Sequence, residues 1–261
     1  MQISKEDKLS IIKAMMKNNN TLSPLLFDDN KVMLPHIRKK ILDMVALIQK
    51  QHLSFFPYIE VEDVFLSGSL CSYIYTPKSD IDLFILFKNI SDNNILKYYF
   101  FSKLSNYLNH IIKPKIYNHS VDFGITYHER YNNINDYNLS GHNTYSVLNN
   151  CWHKEPIRQN FDFTAEELYI EYSKFSAKIH QLVKDLPKIN NAYLTYDSAV
   201  ELSEKLLQLK MDAFIAKDQD EKHEYSMIYN IYRISKKFCL PQHFMQYAEE
   251  SYRYNLSQRK Q

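Results

Sequence analysis

The chain has 261 residues, 45% hydrophobic and 24% charged, a composition that excludes a disordered or low-complexity protein and allows one large domain or two modest ones. A formal net charge of +2, from 32 basic and 30 acidic residues, gives no general argument for binding polyanions and leaves only local basic patches to do so. No apolar run approaches a membrane span and "MQISKEDKLSIIKAMMKNNN" lacks a signal-peptide core, while three scattered cysteines (Cys71, Cys151, Cys239) fit neither a disulfide framework nor a zinc site. These features predict a protein of the reducing cytosol.

In chain order, residues 1–35 read as a weak helix followed by a loop. Pro35 then opens a helix, because Ile37, Ile41, Met44, Val45 and Ile48 share one face. A short strand, Val64 to Leu66, runs up to Gly68. "SDIDLFILF" is a second strand, with Ile81, Leu83, Ile85 and Phe87 alternating against Asp80, Asp82, Phe84 and Leu86. Ser91 is placed to cap the helix that follows, and "KIYNHSVDFGITY" reads as a third strand containing Asp122. Residues 130–160 look irregular. Beyond about 162 helices suffice. Thr164 and Glu167 form a capping-box pattern, Asp197 is placed to cap a second helix, "EKHEYSMIYNIYRISKKF" is a third, and Pro241 marks the start of a fourth. The expected fold is α+β: a small α/β domain with a mixed sheet, followed by a helical C-terminal unit. The expected divisions are 1–35 for the N-terminal helix and loop, 36–160 for the α/β domain and 161–261 for the helical domain.

The chemistry concentrates in "LSGSLCSYIYTPKSDIDLFILF". A carboxylate inside an apolar strand is costly unless it is paired, hydrogen-bonded or metal-bound. In one strand, Asp80 and Asp82 point the same way, and their repulsion calls for a cation. Mg²⁺ suits such a pair, since it takes one or two acids plus water and phosphate oxygens, and Mn²⁺ suits it equally. Gly68 and Ser69 stand at an expected strand-to-helix turn, where backbone N–H groups and a hydroxyl can hold a phosphate. The competing reading is an edge strand with two solvated acids, disfavoured by the apolar run around them.

Leu66, Gly68-Ser69 and, ten residues on, Asp80-Ile81-Asp82-Leu83 resemble the signature of the DNA polymerase beta-like nucleotidyltransferase superfamily. The blocks "YTPKSDIDL", "YSVLNNCWHKEP" and "EYSMIYNIYR" are similar to those of a largely uncharacterised group of phage-encoded nucleotidyltransferase-like proteins, over roughly residues 33 to 258. The resemblance implies a third carboxylate on an adjacent strand, for which Asp122 is the candidate. It implies that Asp80, Asp82 and Asp122 hold two metal ions, that Gly68 and Ser69 bind a triphosphate, and that Asp122 deprotonates the acceptor hydroxyl. It thus implies transfer of an NMP from an NTP to an RNA 3′ end, a protein or a small molecule, with release of pyrophosphate. "LCSYIY" departs from the Gly or basic residue often found after Gly-Ser, so the expected grip on the terminal phosphate is Lys78, with Ser79 beside it, or a lysine or arginine from the helical unit.

Ser226, Asn230 and Arg233, spaced i, i+4 and i+7, are either a nucleotide-facing polar stripe or a solvated helical face. Trp152 reads as packed in a domain junction rather than base-stacking, and Lys39-Lys40 and Lys236-Lys237 as solvated pairs. Glu129 and Asp136 are poorer substitutes for Asp122. Twenty-one tyrosines have no assigned role, although exposed ones suit an RNA or protein surface. Two other functions stay open: a catalytically silent nucleotide-binding or structural module, and a synthase joining two nucleotides into a second messenger.

Overall fold

The structure is a computed structural model describing residues 3–54, 59–88, 94–127, 143–189, 192–219 and 225–258. The chain runs α1 (Lys5–Met15), α2 (Pro35–His52), β1 (Glu60–Ser67), β2 (Ile81–Lys88), α3 (Asn94–Tyr107), β3 (Lys115–Ile116) and β4 (His119–Tyr127). It continues through β5 (Thr144–Ser146), β6 (Cys151–Lys154), α4 (Ala165–Asp185), β7 (Lys188–Ile189), β8 (Tyr193–Leu194), α5 (Tyr196–Gln219), α6 (Met227–Lys237) and α7 (Leu240–Gln258). A mixed sheet with helices makes this an α+β fold, as the alternation of patterns predicts.

The chain divides into two compact units, Lys17–Arg158 and Met1–Met16 with Gln159–Gln261. The boundary expected near residue 160 therefore falls after Arg158. The first 35 residues do not stand apart. Helix α1 belongs with the C-terminal helices, because Ile12 is fully buried among their apolar side chains. The segment after it belongs to the α/β unit, where Leu22, Leu26, Phe27 and Met33 enter the core.

In the α/β unit the strands lie in the order β3-β4-β2-β1-β5-β6. Strands β2 and β4 are parallel and the other pairs antiparallel, so the α3 segment serves as the crossover that a parallel pair needs. The period of two places Val64 and Leu66 of β1 and Leu83, Ile85 and Phe87 of β2 on one face. There they pack with Ile37, Ile41, Val45 and Ile48 of α2 and with Phe101 and Leu104 of α3. Fully burying each such side chain contributes about 1.5–3 kcal/mol. Because one face is spent on this core, residues of the other parity are left to carry chemistry.

Several elements differ from expectation. "KIYNHSVDFGITY" is a hairpin, β3 turning into β4 through Tyr117 and Asn118, not a single strand. Within residues 130–160, expected to be irregular, β5 and β6 pair with each other, and β5 extends the sheet from β1. Trp152 of β6 is packed within this unit rather than at a junction between domains. It stacks on Phe27 at 5.0 Å, meets Tyr145 edge-on and donates from Nε1 to Lys31 O at 2.9 Å. The Ser91 cap lies outside the described residues.

In the helical unit the capping box is present as read: Glu167 N donates to Thr164 Oγ1 at 3.1 Å and Thr164 N to Glu167 Oε2 at 2.7 Å. Helix α5 is capped by Thr195 rather than Asp197. Thr195 Oγ1 accepts from Ser198 N and its carbonyl accepts from Ala199 N, which leaves Asp197 inside the first turn. Strands do occur beyond residue 162, since β7 and β8 form a two-stranded hairpin. Fully buried Leu194 anchors it, with its N–H donating to Ser251 Oγ on α7.

Candidate active site

The face of the sheet turned away from the α2 and α3 core carries the acids. Ser67 of β1 stands opposite Asp82 of β2, and Asp82 stands opposite Asp122 of β4. Registered residues on neighbouring strands project from the same face, so Ser67, Asp82 and Asp122 form one row across three strands. Along it burial falls away: Ser67 is buried, Asp82 half-buried and Asp122 exposed. The carboxylate expected on a later, adjacent strand is thus beside Asp82.

Gly68 closes one end of this row. Its φ of 77° lies in the left-handed region, and a Cβ there would stand 1.9 Å from Asp82 Oδ2 and 2.8 Å from Asp82 Cγ. Both conditions require glycine, which explains one of only three in the chain. The turn that follows differs from expectation. Ser69–Cys71 is a single 3-10 turn, closed by Cys71 N donating to Gly68 O, and residues 72–80 contain no α-helix. Ser69 therefore begins a short turn, not a helix with a developed dipole.

Asp80 also departs from expectation, because β2 begins at Ile81 and leaves Asp80 exposed just before it. Its position is set by the turn Thr76-Pro77-Lys78-Ser79. Ser79 N donates to Thr76 O, Thr76 N to Ser79 Oγ at 3.0 Å, and Lys78 N to Thr76 Oγ1 at 3.3 Å. His119, at the head of β4, places Nδ1 2.7 Å from Ser79 O and so ties this turn to the strand carrying Asp122. Ser79 builds the turn, and Lys78 is exposed on it.

A second row runs beside the acids. Phe65, Phe84 and Gly124 are registered across β1, β2 and β4. The Phe84 ring occupies the space a Gly124 side chain would need, 2.2 Å from the ideal Cβ, and lies parallel to Phe65 with centroids 5.2 Å apart. This apolar row flanks the acid row on one side. Two residues further along β1 is Asp63, which the sequence reading missed. It is 1% exposed and fully engaged: Oδ1 accepts from Val64 N and Ser146 Oγ, each at 2.7 Å, and Oδ2 lies 2.7 Å from His153 Nε2. Asp63 thereby joins β1, β5 and β6. An acid between Glu62 and Val64 was its only trace in sequence.

The polar stripe of the helical unit is real but neither solvated nor wholly helical. Ser226 is the N-cap of α6, accepting from Tyr229 N. Asn230 Nδ2 donates to Ser226 O at 2.8 Å, and Arg233 Nη1 to Asn230 Oδ1 at 3.0 Å. Ser226 and Asn230 are 3% and 2% exposed, so the chain of bonds is built into the unit that contains it. Ser226, Asn230 and Arg233 belong to one unit and the acids to the other. Glu129 and Asp136 lie outside the described residues.

The donor set of Asp80, Asp82 and Asp122 is all carboxylate oxygen, which suits a hard divalent cation such as Mg²⁺ or Mn²⁺. Among the described residues, no three His, Cys, Asp or Glu side chains are grouped to hold a metal by themselves. An Mg²⁺ site completed by water and substrate phosphate needs only one or two carboxylates, and the Asp82–Asp122 pair meets that. No described helix is long and apolar enough to cross a membrane. No family model, curated protein or solved structure matches the chain.

Proposed function

We propose that the α/β unit is the catalytic domain of a metal-dependent nucleotidyltransferase that moves an NMP from an NTP to an acceptor hydroxyl and releases pyrophosphate. The observation that carries this reading is the register of Asp82 with Asp122, with Gly68 held against Asp82 Oδ2. Together these give an acid pair on adjacent parallel strands, with the Gly68 backbone packed directly against one of the carboxylates.

Mg²⁺ or Mn²⁺ held by Asp82 and Asp122, with Asp80 at the margin, would supply charge neutralisation for the phosphates. Gly68 leaves room for the Asp82 carboxylate against the backbone, and Ser69 offers the triphosphate a hydroxyl. Asp122 is the outermost and most exposed acid of the row, so it is placed to accept the proton of the incoming hydroxyl. Lys78, exposed on the turn before Asp80, is the nearest lysine in sequence for the leaving pyrophosphate.

A silent nucleotide-binding module is the second reading. It is favoured by the absence of a ready three-carboxylate group among the described residues. Incubation with each α-labelled NTP and Mg²⁺ or Mn²⁺, with and without RNA and protein extract, separates the two. Label transferred to an acceptor with pyrophosphate released supports the transferase. A label that joins two nucleotides without added acceptor identifies a second-messenger synthase. NTP binding with no release in any mixture leaves the silent module.

A further inference from the structure

On the face of the α/β unit opposite the acid row, helix α3 ends in a single π-helical turn, Leu108–Ile112. Lys113 N closes it by donating to Leu108 O at 2.8 Å, with Lys113 at φ 49°. The turn is firmly held. Leu108 is buried in the core, and Asn109 grips β4 where that strand runs beyond its pairing with β3. Asn109 Nδ2 donates to Phe123 O at 3.0 Å and its Oδ1 accepts from Phe123 N at 2.7 Å, as a neighbouring strand would. What this support presents outward is apolar. Ile111 is 68% exposed and Ile112 50%, and Ile111 is the most exposed large apolar side chain among the described residues. Single π turns are often found at functional sites.

Residues 107–117 run alongside α2. At one end of that helix His52 meets the Tyr107 ring edge-on at 5.4 Å. At the other, Lys40 Nζ lies 4.1 Å from the centroid of the Tyr117 ring, and the His36 ring meets it edge-on at 6.4 Å. Leu47, also exposed, follows His36 and Lys40 at i+11 and i+7, so it shares their side of α2. The resulting strip has aliphatic side chains in the middle of its length and an exposed tyrosine at each end. Its charges are one-sided. Residues 93–121 contain no acid, and the single acid of α2, Asp43, is paired with Lys39 at 2.6 Å. Exposed Lys40 and Lys113 therefore stand among apolar groups with no carboxylate in either segment to offset them.

We propose that this strip docks the α/β unit on an anionic lipid surface, with Ile111 and Ile112 entering the boundary between headgroups and acyl chains. The three kinds of side chain match the three layers they would meet. Aliphatic groups suit the acyl boundary, tyrosines sit at headgroup level, and lysines attract anionic headgroups. Such a contact lies on a membrane and needs no spanning helix. A nucleic acid would use the lysines and a tyrosine but has no use for exposed isoleucines. The isoleucines stand at the end of a turn, which suits a surface that yields to them better than the fixed relief of a protein partner. Asp82 and Asp122 project from the other face of the same sheet, so docking leaves them open to solvent. The proposal stands independently of the nucleotidyl-transfer reading.

The test is co-sedimentation of the full chain with vesicles of phosphatidylcholine alone and of phosphatidylcholine mixed with phosphatidylserine, over a range of salt. The variants are Ile111→Ser with Ile112→Ser, Lys40→Ala, Lys113→Gln and, as a control, Ile170→Ser at an exposed isoleucine of the helical unit. Each is checked for folding by circular dichroism. The wild type is expected to sediment with the mixed vesicles, far less with the neutral ones, and to be released as salt rises. The isoleucine double variant should bind about tenfold or more weakly. Lys40→Ala and Lys113→Gln should each cost about fivefold at low salt, whereas Ile170→Ser keeps wild-type affinity. No binding to mixed vesicles, equal binding to neutral ones, or binding indifferent to Ile111 and Ile112 overturns the proposal. Two further results also overturn it when vesicles are ignored. One is a labelled oligonucleotide bound through the lysines alone. The other is self-association, read by sedimentation velocity, that the isoleucine double variant loses, which makes the strip an interface between copies of the chain.

Discussion

Asp82 is held in place by what is missing at Gly68. Gly68→Ala puts a methyl where Asp82 Oδ2 sits and also strains a left-handed φ. The expected outcome is a folded protein whose NTP turnover drops to background, checked by circular dichroism beside a pyrophosphate assay. Asp63 presents the opposite case, a buried acid with both oxygens committed to structure. Removing its histidine partner by His153→Ala leaves Val64 N–H and the Ser146 hydroxyl to stabilise a buried carboxylate. That should cost about 1–3 kcal/mol in urea denaturation. The two acids also differ in how they can be read. Gly68 and Asp82 sit at a fixed spacing in an apolar setting, so sequence alone points to them. Asp63 is defined by Ser146 and His153, more than 80 residues away, and only strand pairing reveals it.

Elements were legible in proportion to their length. Helices α2 and α4 repeat their apolar face over several turns and were read directly from spacing. Strands β3, β5, β7 and β8 have two or three residues each, too few for a period of two to register. Their existence is decided by the partner strand. The cap of α5 shows a subtler limit. Thr195 and Asp197 are both good cap residues, and the hydrogen bonds to Thr195 settle a choice that propensity leaves open. For α4 the cap is unambiguous, and Thr164→Ala should cost about 1 kcal/mol in chemical denaturation at neutral pH. The Thr164 backbone N–H, with its hydroxyl, holds the Glu167 carboxyl below the usual carboxylate range. A depressed folded-state pKa stabilises above the unfolded value and is lost as pH falls through the folded one. The gap between wild type and Thr164→Ala should therefore narrow on acidification.

At the scale of the molecule, the chain enters the helical unit through α1, builds the α/β unit, and returns to finish the first. A shift in composition near residue 160 marks a boundary there. The discontinuity stays hidden, since nothing in α1 says which apolar surface will bury Ile12. Residues 17–158 alone should melt cooperatively, whereas 159–261 alone should be less stable than the same segment supplied with a peptide of residues 1–16, as circular dichroism melts would show. The register of β4 against β2 was equally illegible, although it is what brings Asp122 to Asp82. That register supports the functional reading most strongly, so its chemistry is the thing to measure: pyrophosphate release and NTP binding, side by side, for wild type and Asp122→Asn. The account predicts that release from the variant falls by roughly a hundredfold or more, and that NTP still bound to it is not turned over. Undiminished release from Asp122→Asn would contradict it.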